Sequence, residues 1–343
     1  MAYTTIDNPA DHFNTVLYTG NGGTQSITGV GFAPNLAWIK NRGETNHHRL
    51  MDTTRGATKD SYPDLVAAEA TTANGLTSFD SDGFSLGSDA GFNKNNITYV
   101  SWNWLAGAST SANTDGSINS TVTVNQTAGF SIVSYVGTDA NATVGHGLGV
   151  APNWVLVKGR TTANNWRNGH DGLTSWAYRI NLEDGGTESS QSSVWNSTAP
   201  TNTVFSIGDS SSVSDNGITH MAYCFAEKKG YSKFGSYTGN GNADGTFVFT
   251  GFRPSLVIYK RTNNAADWHM YDNKRDPFNE MDLCLFPSGS YADSPGDALD
   301  FLSNGFKQRN TGAEANASGD NYIYMAFAEN PFVNSNGVPT NAR

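Results

Sequence analysis

The chain has 343 residues, of which 15% are charged and 12% aromatic, with a formal net charge of −10. That acidic balance, with no run of Lys or Arg longer than two, argues against a nucleic-acid-binding face, and so many rings with so little charge argue against disorder. Gly, Ser, Thr and Asn fill the place of Lys and Glu, which predicts many short strands joined by turns.

The N-terminal stretch MAYTTIDNPADHF has neither the basic nor the apolar region of a secretory signal. No later stretch reaches the ~18 apolar residues of a membrane span, so a soluble protein made in a cytoplasm and not inserted in a membrane is expected. The first strand is expected within VLYTGNGG (16–23), and IVSYVGTD (132–139) and KFGSYTGNG (233–241) resemble it. Next comes GFAPNLAWIKNR (31–42), which returns as GVAPNWVLVKGR (149–160) and GFRPSLVIYKR (251–261). Aligned on Pro34, Pro152 and Pro254, each copy places a Lys six residues on, at Lys40, Lys158 and Lys260. An Asp follows about 18 residues after each Pro, at Asp52, Asp171 and Asp272, with an Arg three further on in the first and third copies, Arg55 and Arg275. A Phe-centred phrase follows at Phe84, Phe205 and Phe306, and each copy closes on an aromatic strand, YVSWNWLA, HMAYCFAE or YIYMAFAE.

Five features in one order, three times, predict three tandem domains. Their expected bounds are 1–108, 129–230 and 231–343, the last with a polar tail. The stretch 109–128 reads as a Ser/Thr/Asn/Gly-rich linker, with an extended edge strand around Ile118–Val124. In the repeated phrase, Gly31, Gly149 and Gly251 permit a turn of positive φ, Pro starts a strand, and the runs LAWI, WVLV and LVIY fill it. Four apolar residues in a row indicate a strand buried on both faces. The fold class expected is all-β, three tandem β-sandwich or jelly-roll-like repeats. DLVAAEATTA (64–73) is the best helix candidate.

The recurring Lys and Asp suggest an ion pair in each copy, for example Lys260 with Asp272, a marker of position more than a source of stability. Cys224 and Cys284, the only cysteines, read as buried thiols. HHRLMD offers His48 and Asp52 to a site but reads better as a solvated loop. DSDG (80–83) lacks the rest of a calcium loop and reads as a β-turn. Glycoside cleavage needs two carboxylates, and the candidates Glu183 with Asp184 or Asp272 with Glu280 carry no further signature. No catalytic residue, metal ligand or cofactor is assigned, and an enzyme is not expected. Among the aromatics expected in loops (Trp166, Trp176, Trp195, Trp268 and Tyr291), Trp166, Trp195 and Trp268 are the candidates for contact with a receptor, against the commoner role of a Trp in a core.

GFSIVSYVGTDANATVGHGLGVAPNWVLVKGR, FGSYTGNGNADGTFVFTGFRPSLVIYKRT and YIYMAFAENPF, with the opening MAYTTIDNPADHFNTVLYTGNG, together resemble the tandem-repeat tail-fibre and virion structural proteins of marine tailed phages, of the cyanophage and pelagiphage type. The likeness spans nearly the whole chain. It departs most in the first copy, where NHHRLMD stands in place of a Trp-containing strand such as DWHMYD. The resemblance implies a virion-surface protein, a tail-fibre or tail-tip adhesin that attaches to the host, with a capsid or tail decoration protein as the alternative and a glycan depolymerase behind both. The partners it implies are other virion proteins and a host surface glycan or protein, with assembly as a homo-oligomer such as a trimer. Function is expected in loops, where the three copies differ.

Overall fold

The computed structural model describes residues 3–339; the first two residues and the last four of the predicted tail lie outside the described residues. The repeated phrase does what its residues dictate. Gly31, Gly149 and Gly251 turn the chain at φ of 89°, 73° and 81°, a conformation that favours residues without a Cβ. The signature strands follow: Leu36–Asn41, Trp154–Gly159 and Phe252–Arg261. In the third copy the strand begins two residues ahead of Pro254 and takes a bulge around it, since Pro cannot donate to the ladder.

Each signature strand lies in an antiparallel sheet of the same order. The opening strand (Phe13–Thr19, Phe130–Val136 or Ser232–Thr238) pairs with the closing strand (Thr98–Trp104, Thr219–Phe225 or Asn321–Pro331). The closing strand pairs with the signature strand, and that with a return strand, Arg49–Asp52, Arg167–His170 or Trp268–Asp272. The register repeats too. Two residues after the Pro, Leu36 faces Trp104, Trp154 faces Phe225 and Leu256 faces Phe327. A second, outer sheet covers each inner one and makes a sandwich; in the first copy it holds Gln25–Ile27, Gly83–Leu86 and Leu76–Asp80. The DSDG stretch is the hairpin joining the last two of these, and the Asp82 carboxylate accepts from the Gly29 and Gly31 N–H groups at 3.0 and 2.6 Å.

Because strand side chains alternate, each signature strand feeds two cores. Ala37 and Ile39 enter the sandwich of the first copy, Val155 and Val157 that of the second, Val257 and Tyr259 that of the third. The other face of all three sheets enters one common core, formed by Leu36, Trp38, Trp154, Leu156, Leu256 and Ile258 with the closing-strand residues Trp102, Trp104, Tyr223, Phe225, Met325 and Phe327. Phe225 alone stacks on Phe130 and Trp154 and meets Trp104 and Phe327 edge-on. The three inner sheets therefore close around a shared axis. The void at the centre measures about 10 Å³, room for one water at most, so it is packing and not a ligand site.

Three expectations need correction. The stretch 109–128 is not a free linker: Thr110–Asn113 and Ser120–Asn125 extend the inner sheet of the second copy beyond its opening strand. The segment 64–73 forms no helix. Ten residues are too few to hold a helix without tertiary support, and this segment instead lies against the second copy, where Val66 O accepts from Lys158 Nζ and Glu69 N–H donates to Arg160 O. HHRLMD is no solvated loop: it ends in the return strand Arg49–Asp52, and His48, just before that strand, and Asp52, at its end, are both fully buried. Cys224 and Cys284 are buried free thiols. At the chain ends, Ser335 N–H donates to Asp7 at 2.7 Å and ties the tail to the N-terminal segment.

Candidate functional site

The expected Lys–Asp ion pairs do not form, and the register shows why. Asp272 faces Leu256, whereas Lys260 lies four residues further along the strand, roughly 13 Å away at 3.3 Å per residue. The lysines point across the seams between copies. Lys40 Nζ donates to the carbonyls of Asn41 (2.7 Å) and of Ser290 in the third copy (3.2 Å). Lys158 Nζ donates to Asn164 O and, at 2.8 Å, to Val66 O of the first copy. Lys260 Nζ donates to Arg261 O (2.9 Å) and to Gly185 O of the second copy (3.3 Å). Burial brings all three ammonium groups down to about 8.

The residue fourteen positions after each Pro repeats this pattern. Trp166 Nε1 donates to Tyr62 O of the first copy, and Trp268 Nε1 to Asn181 O of the second, both at 2.8 Å. In the first copy the position is His48, 3.0 Å from Phe286 O of the third. Its Nδ1 accepts from Trp38 Nε1 at 2.9 Å, so Nε2 carries the proton and donates; burial holds the ring well below the usual histidine range, hence neutral. The substitution of His for Trp thus keeps the seam contact. Trp166 and Trp268 are seam anchors, 1% and 0% exposed, and Trp195 at 0% lies inside the second sandwich. None of the three is a loop aromatic free to meet a receptor. Of the aromatics expected in loops, Tyr291 is exposed and Trp176 is buried.

Carboxylates close two seams. Arg55 N–H and side chain both donate to Asp52, which also accepts from Tyr223 Oη of the second copy at 2.7 Å. Glu69 links Arg55 (3.5 Å) to Arg160 of the second copy, whose Nε and Nη2 donate to it at 3.0 and 2.8 Å. The seam of the third copy with the first repeats this. Asp272 binds Arg275 and accepts from Trp102 Nε1 at 3.1 Å, and Asp293 joins Arg275 (2.9 Å) to Arg42 of the first copy (2.6 Å).

The seam between the second and third copies breaks the pattern. The register places His170, not Asp171, opposite Trp154, because this copy has one more residue between the Pro and the Asp. Asp171 is therefore exposed beyond the strand end, where it accepts from Asn153 Nδ2 (2.8 Å) and Trp176 Nε1 (2.9 Å). Three residues after His170 stands Leu173, where the other copies have Arg. The partner arginine is lost too: eight residues after the Pro come Arg42 and Arg160, but then Thr262. The acidic position is kept. Glu188 N–H donates to Thr262 O at 2.8 Å, as Glu69 N–H does to Arg160 O and Asp293 N–H to Arg42 O. With no guanidinium at hand, the Glu188 carboxylate accepts from Thr174 N–H and Oγ1 at 2.8 and 2.9 Å.

The space that two arginines fill elsewhere is here an open groove of about 470 Å³, within the usual size of ligand pockets. Thr174, Glu188, Ser236, Thr238, Thr262 and Asn321 supply hydroxyls, an amide and one carboxylate, and no Lys or Arg among the described residues lines it. Its floor is tight: a Cβ on Gly172 would stand 2.9 Å from Gly235 O of the third copy, so Gly is required there. Nothing in the sequence marks the groove except the two broken positions, Thr262 and the slipped Asp171.

His170 gives this seam a pH dependence. Burial pushes its ring down to about 4 from an ordinary 6.5; its Nδ1 accepts from Gly172 N–H at 2.9 Å and its Nε2 lies 3.2 Å from Tyr324 O. An unfolded chain takes up this proton near pH 6.5 and the folded chain only near 4, so the stabilisation is complete above 6.5 and is lost as pH falls toward 4. The shift corresponds to about 3 kcal/mol. Asp60, Asp64 and Glu183, raised by burial, act with the opposite sign. Urea midpoints at pH 7 and 4.5, compared between the wild type and His170→Gln, isolate the histidine: the variant should show the flatter acid loss, and equal slopes would contradict the assignment.

A protein-family model described as a domain of unknown function, DUF7483, matches residues 8–331. No curated protein matches the chain.

Proposed function

The chain belongs to the family of the domain of unknown function DUF7483, and for this chain we propose the role of a structural protein of a tailed-phage virion, acting at the particle surface as a tail-fibre or tail-tip adhesin. The observation that carries this reading is the groove: two of the three seams share one carboxylate–arginine chemistry, and the seam that abandons it opens a polar pocket. A scaffold fixed by a common core and cross-seam hydrogen bonds holds such a pocket rigid, as recognition favours. The groove holds one carboxylate where glycoside hydrolysis uses two, which supports binding over cleavage. Of the carboxylates considered for cleavage, Glu183 accepts from Asn165 Nδ2 and Trp166 N–H, and Asp272 is sealed against Arg275. Each copy of the chain fills its own three-part core, so a homotrimer would assemble through outer surfaces.

The expected result is density for this protein at the tail in a virion reconstruction, with labelled protein binding host cells. Density on the capsid lattice without cell binding would favour the decoration reading. Absence from the virion would overturn both.

A further inference from the structure

We infer that the groove between the second and third copies is a receptor for a cationic nitrogen group, a guanidinium or an ammonium, presented by a ligand that also offers hydrogen bonds. The inference rests on the proposed recognition role for its biological setting, but its chemistry follows from the seams alone.

At the equivalent acidic position, Glu69 lies between Arg55 and Arg160, and Asp293 between Arg275 and Arg42. The fold thus builds a carboxylate with a guanidinium on each side at two seams. At the third it keeps the carboxylate, with its backbone N–H on the same neighbouring carbonyl, and removes both guanidiniums. Thr174 takes one lone pair on each Glu188 oxygen, and a carboxylate oxygen has capacity for more. Among the described residues no Lys or Arg lines the groove around the half-buried Glu188, so an external cation would complete the arrangement seen twice elsewhere. Around it, Thr238 Oγ1 and Thr262 Oγ1 donate to Asn321 Oδ1 and Asn321 O, both at 3.3 Å, which leaves hydroxyl lone pairs as acceptors and the Asn321 Nδ2 group as a donor at the groove. A neutral apolar ligand would desolvate the remaining polar capacity without using it, and an anion would meet Glu188. Two sources share the required chemistry: an arginine side chain of a partner protein and the amine of an amino sugar.

The test uses the full chain, with agmatine and glucosamine as cationic probes and glucose and N-acetylglucosamine as neutral controls, read by amide chemical shifts and calorimetry. The cationic probes should shift the Thr174, Glu188 and Asn321 amides at millimolar concentration, more weakly as salt rises. Glu188→Gln, which keeps an acceptor for Thr174, should lose at least about tenfold in affinity. Thr262→Arg, which restores the missing guanidinium, should abolish binding and raise the melting temperature, so a positive control for folding comes with the loss. Preference for agmatine assigns the ligand to an arginine side chain, and preference for glucosamine to an amino sugar; either supports the inference. Equal binding of the neutral sugars, no binding of either cation, or unchanged affinity in Glu188→Gln would overturn it. These measurements need no virion, so their failure is distinct from failure of the adhesin reading.

Discussion

Asp272→Ala should destabilise the protein by about 3–5 kcal/mol in urea unfolding, because it strips a fully buried guanidinium of its closest counter-charge. Four groups lose an acceptor at once: the N–H groups of Lys274 and Arg275, the Arg275 side chain and Trp102 Nε1 of the first copy. Asp293 and the Met270 carbonyl remain on Arg275, but neither takes over the Nε or the backbone donors. The contrasting variant is Asp171→Ala. By sequence it is the same residue of the second copy, yet it sits exposed with two neutral donors, so about 1 kcal/mol is expected. Equal effects of the two substitutions would show that the register assignment of His170 to the Asp position is wrong.

The second large effect concerns the repeats themselves. A chain ending at residue 230, which removes the third copy, should fail to reach a compact native state. The cut exposes the common-core face of two sheets, including Trp38, Trp102, Trp104, Tyr223 and Phe225, and removes Leu256, Ile258, Met325 and Phe327 from the same cluster, with Phe327 lost from both Trp104 and Phe225. Full burial of one such side chain is worth about 1.5–3 kcal/mol, so several exposed together exceed the ~5–15 kcal/mol by which whole domains are stable. The cut also removes the cross-seam partners of His48, Lys40 and Arg42, which lie between Phe286 and Asp293. Near-UV circular dichroism should be lost and dye binding to exposed apolar surface gained. A well-dispersed amide spectrum from the truncated chain would refute the expectation.

The inner sheets were legible because their signals are local. Gly, Pro and four apolar residues in a row specify a turn and a strand buried on both faces, and the signature strands are that in every copy. The seam roles of the lysines and of Trp166, Trp268 and His48 were not legible, because their cross-seam acceptors are backbone carbonyls 75 to 250 residues away, which carry no side-chain signature. Trp166 and Trp268 looked like loop aromatics since the return strands are short, four and five residues, and flanked by polar turns. Counting fourteen residues from each Pro would have aligned them with His48 and exposed a shared structural task. The one-residue insertion before Asp171 hid the His170 substitution, since spacing alone cannot tell a slipped Asp from a conserved one. The groove follows from that slip together with Thr262, two changes that become meaningful only when the copies are seen to touch.

Differential scanning calorimetry of the full chain bears most directly on the claim that three copies form one unit around a common core. Closure around one core predicts a single transition whose calorimetric and van't Hoff enthalpies agree for the whole chain. Two or three resolved transitions, each with the enthalpy of a domain of about 100 residues, roughly 60–80 kcal/mol, would mean independent repeats and would contradict it.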